Sequence, residues 1–371
     1  MKIIYISHLH PPKHAVLKNI GGMQRVSMQL AEQLEADEHT ELFEYTQETG
    51  WKNIVFKTTL FLIRLFLFLP RYVKKHDADL VLFSSMVSGS VSHFVRRRVK
   101  VPMVTISHGH DVTLDVSLYQ WLVPKIFKAV DAVISVSSAT QQECINRGLD
   151  PAKSKVLPNG FDIKSLENVV SKKEALSVLE ETFVFKLGDR KLLLTVGRLI
   201  KRKGHEWFIR EILPVLKSDV VYLIVGDGGE SMNIDSAIEE SDMKDSILKV
   251  GRQPDELLDY AYSAADLFIM PNIKVPGDME GFGVVLLEAN IRKTPAIASN
   301  LEGIKDVIDN GKNGYRIPEG DAGAFAAKID EVIKNELQTL SESARSHVET
   351  RFTWQRVGWD YIAFLKSLIK D

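Results

Sequence analysis

The chain has 371 residues, more than one hydrophobic core usually organises, so two domains are expected. Hydrophobic residues at 45% and charged residues at 26% exclude a disordered or fibrous chain. The net charge of −2 is unevenly spread: residues 1–160 carry 19 Lys/Arg against 14 Asp/Glu, and the rest carry 28 against 35. A single cysteine, Cys144, excludes an internal disulfide framework and suits a reducing compartment. The opening MKIIYISHLHPP has too short an apolar run for a secretory leader and reads as a buried first strand, so a cytoplasmic location is expected.

Following the first strand, Ile3–Ile6, the segment NIGGMQRV places Gly21 and Gly22 before a helical pattern at Gln24–Leu34, with Arg25 a candidate phosphate contact. The next helical pattern, roughly Asn53–Lys75, contains NIVFKTTLFLIRLFLFLPRYVKK. Its apolar stretch falls short of the about 20 residues of a membrane span, and Lys57 and Arg64 interrupt it. Two readings fit: a helix lying in a membrane interface, or one buried between the sheet and a neighbour. Lys57, Arg64, Phe66, Phe68, Arg71, Lys74 and Lys75 are the candidate contacts to an anionic membrane or acceptor, favoured by the 12 basic and 4 acidic residues of 51–130. Asp77-Ala78-Asp79 looks like an Asp-x-Asp metal motif, but it precedes the strand Leu80–Phe83, the wrong end of a parallel strand for ligands. A helix is then predicted over Ser90–Arg98. The run Arg96, Arg97, Arg98, Lys100 lacks aromatic interleaving, so nucleic acid is not an expected partner.

The strand Met103–Ile106 leads into SHGHDV, where His108, at a strand's carboxyl end, is a stronger functional candidate than a lone histidine elsewhere. His108, His110 and Asp111 do not complete a set of three or four converging metal ligands with the rest of the chain. A helix at Gln120–Ala129 and a strand at Ala132–Val136 close the first train, and residues 161–188 form the expected interdomain connection. The second train has strands at Lys191–Val196, Val220–Val225, Ile247–Val250, Asp266–Met270 and Pro295–Ala298, with helices near Trp207–Leu216, Asp255–Ala264 and Gly283–Arg292. Such alternation predicts parallel sheets covered by helices. An amphipathic segment, Trp354–Ile369, ends the chain.

Three features of the second train carry chemistry. In VGRLIKRKGHEWFI, Arg198 and Lys203 are two cations able to neutralise a departing nucleoside diphosphate without a metal; Lys201 and Arg202 read as solvated loop charges. The turn VGDGGE is assigned no chemistry at Asp227, and the loop Gly251–Pro254, with Gln253, is a candidate base contact. In MEGFGVVLLEAN, Glu280 and Glu288 are separated by seven residues. Gly281, Phe282 and Gly283 lead into a helix starting near Val284, whose free amides can hold a diphosphate. Were the diphosphate that of a nucleotide sugar, Glu280 would reach the sugar, and Glu288, roughly five residues inside the helix and about 8 Å along its axis, the ribose.

The stretch LFIMPNIKVPGDMEGFGVVLLEANIRKTPAIASNLEGIKDVIDNGKNGYRI resembles glycosyltransferase family 4, with its two glutamates seven residues apart. Arg198 and Lys203 fall on that family's diphosphate clamp, Gly21 and Gly22 on its glycine loop, and His108 on its His-Gly pair. The string SHGHDV is similar to phosphatidylinositol mannoside-type mannosyltransferases. The resemblance implies an α/β protein of the GT-B fold, with two Rossmann-like doubly wound domains facing a cleft. Its parts would be an acceptor-side domain at 1–165, a nucleotide-sugar domain at 185–352, and a C-terminal helix at 353–371 crossing back over both. It implies retention of anomeric configuration, with Glu280, His108, Arg198 and Lys203 catalytic, no metal, and a UDP- or GDP-sugar as co-substrate. The expected acceptor is a saccharide or glycolipid, lipid-linked, in polysaccharide or lipopolysaccharide assembly at the inner face of the cell membrane. An epimerase or hydrolase of the same fold, or a non-catalytic sugar-nucleotide binder, remain alternatives; without Gly-x-Gly-x-x-Gly after the first strand, a dehydrogenase is disfavoured.

Overall fold

Short runs of Ile, Leu, Val and Phe, apolar on both faces, become the interior strands of two parallel sheets in the computed structural model, which describes residues 1–10, 22–48, 53–162 and 170–369. Two compact units result. The first comprises Met1–Asp162, Gly277–Phe282 and Phe352–Asp371; the second, Ile163–Pro276 and Gly283–Arg351.

In the first unit the strands are β1 (Lys2–His10), β2 (Glu41–Glu48), β3 (Leu80–Phe83), β4 (Met103–Ser107), β5 (Ala132–Ser135) and β6 (Ser154–Val156). They lie in the order β2-β1-β3-β4-β5-β6, with Ile4 of β1 paired to Phe43 on one side and Val81 on the other. Among the described residues seven α-helices connect them: α1 (Gly22–Glu35), α2 (Ile54–His76), α3 (Met86–Gly89), α4 (Ser92–Val95), α5 (His110–Thr113), α6 (Ser117–Ala129) and α7 (Ser138–Asn146). Of the helix expected over Ser90–Arg98 only the turn α4 forms, and a separate turn, α3, precedes it. The Ser85 hydroxyl accepts the Ser88 amide at 3.2 Å and starts a turn early.

Among the described residues the first element of the second unit is α8 (Lys172–Thr182), a helix inside what the sequence suggests is irregular linker; its N-cap Ser171 accepts the Glu174 amide at 3.2 Å. Then come β7 (Lys191–Val196), α9 (His205–Trp207), β8 (Val220–Val225), α10 (Ser231–Glu239), β9 (Ile247–Lys249), α11 (Asp255–Ala264) and β10 (Leu267–Met270). The chain continues through α12 (Val284–Ile291), β11 (Ala296–Ser299), α13 (Ile304–Val307), β12 (Gly314–Ile317), α14 (Ala322–Glu331) and α15 (Leu337–Arg351). Strand order is β12-β11-β10-β7-β8-β9, and every pairing is parallel. The helix expected at Trp207–Leu216 widens into a π turn at Phe208–Ile212 and ends as a 3-10 turn around Pro214, which has no amide to donate.

The last helix, α16 (Trp354–Ser367), returns to the first unit and packs on α1. Its Trp354 indole donates to Gln29 Oε1 at 2.8 Å and occupies the space where Gly160 lacks a side chain.

Three aspartates repeat one device. Asp79, Asp131 and Asp266 each stand just before a strand and accept an amide at the start of the neighbouring strand: Lys2 at 2.7 Å, Met103 at 2.8 Å and Leu192 at 2.8 Å. This gives Asp79 a structural task at the amino end of the sheet, in line with discounting the Asp-x-Asp match.

Candidate active site

In the first unit, β1, β3 and β4 end together and deliver His8, Ser84, Ser85 and His108 to one edge of the sheet. The His108 Nε2 lies 2.8 Å from the Ser84 carbonyl oxygen, so Nε2 carries the proton and donates. His8 is buried, with Nδ1 3.3 Å from the Ser85 hydroxyl. Burial, with the nearby His108 adding to it, lowers the His8 pKa to about 4, so its imidazole is neutral at pH 7. Sequence reasoning passed over His8; two histidines closing an otherwise apolar strand, SHLH, were the available signal.

Asp111 orders the turn that carries His108. Its buried carboxylate accepts the amides of His108 at 2.8 Å and Met86 at 3.0 Å, and the Ser107 hydroxyl at 3.3 Å. Tied in this way, Asp111 positions β3 against β4. Among the described residues no group of three His, Cys, Asp or Glu is placed to hold a metal ion.

Two glycines then bring a distant segment to this edge. Gly109 has φ +95°, and a Cβ there would stand 2.8 Å from the Gly281 Cα. A Cβ on Gly281 would stand 1.9 Å from the His108 carbonyl oxygen. The Thr140 hydroxyl adds a 3.4 Å bond to the Gly281 carbonyl. His108 and the Glu280–Gly281 peptide therefore share one neighbourhood. The bare Cα of Gly281 admits the backbone of residue 108. Phe282 is buried with its ring 6.1 Å from Phe352, so only its backbone can face a ligand. Gly22 is exposed at the start of α1; Gly21 lies outside the described residues.

In the second unit, Arg198 and Lys203 follow β7, the strand flanked by β10 and β8, where the strand order reverses. Open parallel sheets bind ligands at that point. The loop is braced on both sides: the Leu199 amide donates to the Asp227 carbonyl and the Ile273 amide to the Arg202 carbonyl, each at 2.9 Å. Gly204 has φ +67° and leaves no room for a Cβ, which would sit 1.9 Å from the Pro271 carbonyl oxygen. The Lys203 side chain folds back over Gly197, its Cε 3.6 Å from where a Cβ would be, and so beside the Arg198 peptide. Arg198 is exposed. Arg202, expected to be a solvated loop charge, is buried, because the same bracing carries it inward; Lys201 is the exposed one. His205 is buried with neither ring nitrogen hydrogen-bonded, and burial plus the Lys203 charge lower its pKa to about 3.

Gly283, with φ +88°, starts α12 without a side-chain cap, so the first-turn amides of Val284 and its successors keep no side-chain acceptor at the N-cap. One turn on, Glu288 Oε2 accepts the Tyr262 hydroxyl at 2.7 Å, a partner the sequence reading did not single out. Gln253 donates to the Val250 carbonyl within its own loop.

On the first unit, α2 buries Phe61, Leu65, Leu69 and Val73, one residue per turn. The remaining faces expose Lys57, Arg64, Phe66, Phe68, Arg71, Lys74 and Lys75 together with Phe56, which is 72% exposed, Ile63 and Leu67. The helix thus serves the core along a narrow stripe and presents apolar and basic residues around it. The surface continues onto α4, where Phe94 stacks edge-on to Phe66 at 6.4 Å and Arg98 covers the Phe66 ring at 4.6 Å. On α6, Leu118 is 74% and Trp121 60% exposed, and Lys125 lies over the Trp121 ring. Arg96 is withdrawn from this surface, as its guanidinium grips both oxygens of Asp131 at 2.9 and 3.1 Å. No described helix is long and apolar enough to cross a membrane.

Residues 20–165 match the family model described as Glycosyltransferase Family 4, and residues 180–349 the one described as Glycosyl transferases group 1. The amylovoran biosynthesis glycosyltransferase AmsK of Erwinia amylovora is 28% identical over 304 residues, 78% of this chain and 70% of that protein. An Escherichia coli enzyme named UDP-Gal:alpha-D-GlcNAc-diphosphoundecaprenol alpha-1,3-galactosyltransferase is 27% identical over 302 residues, 76% of this chain and 74% of its own length. Among solved structures, HepE of Anabaena in complex with UDP and glucose superposes with a TM-score of 0.75 at 19% identity, covering 99% of this chain and 100% of that one. The two parallel six-stranded sheets are those of the GT-B fold. With both family models matched in succession, the chain belongs to the glycosyltransferases of family 4.

Proposed function

We propose that this enzyme transfers a hexose, with retention of anomeric configuration, from a UDP- or GDP-sugar to a lipid-linked saccharide or glycolipid during cell-envelope polysaccharide assembly. The observation that carries the reading is the braced loop after β7, which sets Arg198 and Lys203 at the reversal point of the second sheet. In the reaction the sugar–phosphate bond breaks and negative charge grows on the nucleoside diphosphate. The two cations stabilise that charge, and the first-turn amides of α12 add aligned dipoles. A divalent metal is then unnecessary.

Glu288 receives the ribose hydroxyls, and Glu280 orients hydroxyls of the donor sugar. His108 has its Nε2 proton committed to the Ser84 carbonyl, so Nδ1 is left as the acceptor of a sugar hydroxyl. The acceptor hydroxyl attacks the face the diphosphate leaves, and a departing phosphate oxygen takes its proton. HepE, whose structure holds UDP and glucose, supports a nucleotide-sugar donor. The Escherichia coli relative, named for a diphosphoundecaprenol-linked acceptor, supports a lipid-linked one. The exposed apolar and basic surface of α2, α4 and α6 fits the face of an anionic membrane where such acceptors reside.

Replacing Arg198 with alanine tests the core of this reading. Transfer from the matching nucleotide sugar is expected to fall by about 10²–10³-fold with an unchanged melting temperature. Turnover close to the parent in a folded R198A protein removes Arg198 from the mechanism.

A further inference from the structure

Glu288 sits on α12 with three rotatable side-chain bonds and a like charge nearby. Asp259 stands close enough for Glu288 to help raise its carboxyl pKa, after burial and against the lowering effect of Arg292. Left to itself, such a carboxylate would swing away from its neighbour and sample several rotamers. The Tyr262 side chain opposes this. The Tyr262 hydroxyl donates to Glu288 Oε2 at 2.7 Å, a short bond to a charged acceptor.

Tyr262 is itself immobilised. It is buried on α11 with its ring 5.9 Å from Phe268, and its carbonyl accepts the Thr294 hydroxyl at 2.6 Å. Arg292 lies 5.7 Å from the ring centre, pairs with Asp259, and donates to the Glu288 carbonyl at 3.1 Å. The phenol therefore has a fixed origin, and the bond it makes fixes the carboxylate. We propose that Tyr262 is a positioning residue that presets Glu288 for the ribose of the donor, and so governs nucleotide affinity rather than turnover. The inference rests on the ribose role given to Glu288 above.

The test uses the full-length chain. UDP, GDP and ADP are titrated by calorimetry, and the tightest is compared with its 2′,3′-dideoxy analogue in parent, Y262F and E288Q proteins. In the parent, removing both ribose hydroxyls should weaken binding about tenfold or more, the worth of hydrogen bonds to a charged group. Y262F should lose about tenfold for the ribonucleotide but bind the dideoxy analogue like the parent, and its KM for donor should rise with kcat within about twofold. E288Q approaches the same bond from the other side and should likewise lose the discrimination. If Y262F weakens both nucleotides equally, or neither, while the parent discriminates, Tyr262 does not act through the ribose and the proposal fails alone. If the parent itself does not discriminate, the ribose role of Glu288 fails and takes the proposal with it.

Discussion

Introducing one methyl group at Gly281 probes how tightly the two expected catalytic residues of the first unit depend on each other. The Cβ of an alanine would stand 1.9 Å from the His108 carbonyl oxygen and 2.9 Å from its carbon. A carbon–oxygen contact needs about 3.3 Å, so one backbone must retreat by more than about 1 Å. The His108 side cannot retreat cheaply, because Asp111 ties its amide to Met86 and Nε2 is bonded to Ser84. The strain should cost about 1–3 kcal/mol of stability, as overpacking usually does. The larger effect falls on chemistry, since a displacement of about 1 Å at a reacting centre can reduce rate about 10²-fold. The assay is release of nucleoside diphosphate with donor and acceptor present, alongside thermal melting. The control is Gly323→Ala on α14, where an added Cβ meets only Asp321 Oδ1 at an ordinary 3.7 Å. A G281A protein turning over within about threefold of the parent, at an unchanged melting temperature, refutes the claim that Gly281 holds Glu280 against His108.

Other expectations follow from the same structure. Asp131→Ala removes the acceptor of the Met103 amide and the partner of Arg96; a half-exposed pair and one backbone bond are together worth about 2 kcal/mol, read by urea unfolding, with kcat per folded molecule unchanged. His8 and His205 have folded pKa values of about 4 and about 3, below the unfolded 6.5, so the unfolded chain binds more protons as pH falls below 6.5. Each should cost roughly 1.4 kcal/mol of stability per pH unit between 6.5 and its folded pKa, and nothing above 6.5. Urea midpoints at pH 7 and 5 measure this, and His205→Leu should flatten the slope. Changing Phe56, Ile63 and Leu67 to serine should abolish co-sedimentation with phosphatidylglycerol vesicles at low salt while leaving the melting temperature within a few degrees, since all three face outward. Equal sedimentation of this variant would remove α2 from membrane contact.

The interior strands were legible because each is apolar on both faces: LVLF of β3, VVYLIV of β8 and LFIM of β10 read directly. The strands that escaped, β2, β6 and β12, lie at sheet edges. ELFEYTQE alternates because one face of β2 meets water, and SKV and GYRI are too short and polar to stand out. The helix α8 was hidden by its charge in KKEALSVLEET, although Lys172 pairs with the buried Asp266 at 2.8 Å. At the site, glycines and strand-end charges were readable because their types are constrained locally. Tyr262 meets Glu288, and Asp111 meets Met86, across 26 and 25 residues of sequence, and a linear pattern does not show such contacts. The fate of Arg202 is the converse case: Lys201 and Arg202 look equivalent in sequence, and only the bracing of the loop by Asp227 and Pro271 separates the buried one from the exposed.

The polypeptide changes unit four times, at residues 162/163, 276/277, 282/283 and 351/352. A chimera that joins the front half of this enzyme to the back half of a relative at the linker would therefore exchange more than intended. It would import a foreign 277–282 strip against the His108 turn, and a foreign final helix into the slot shaped by Gly160 and Gln29. Recombining donor and acceptor preferences within this family calls for transplanting both insertions along with the front half, treating three discontinuous pieces as one inheritable part.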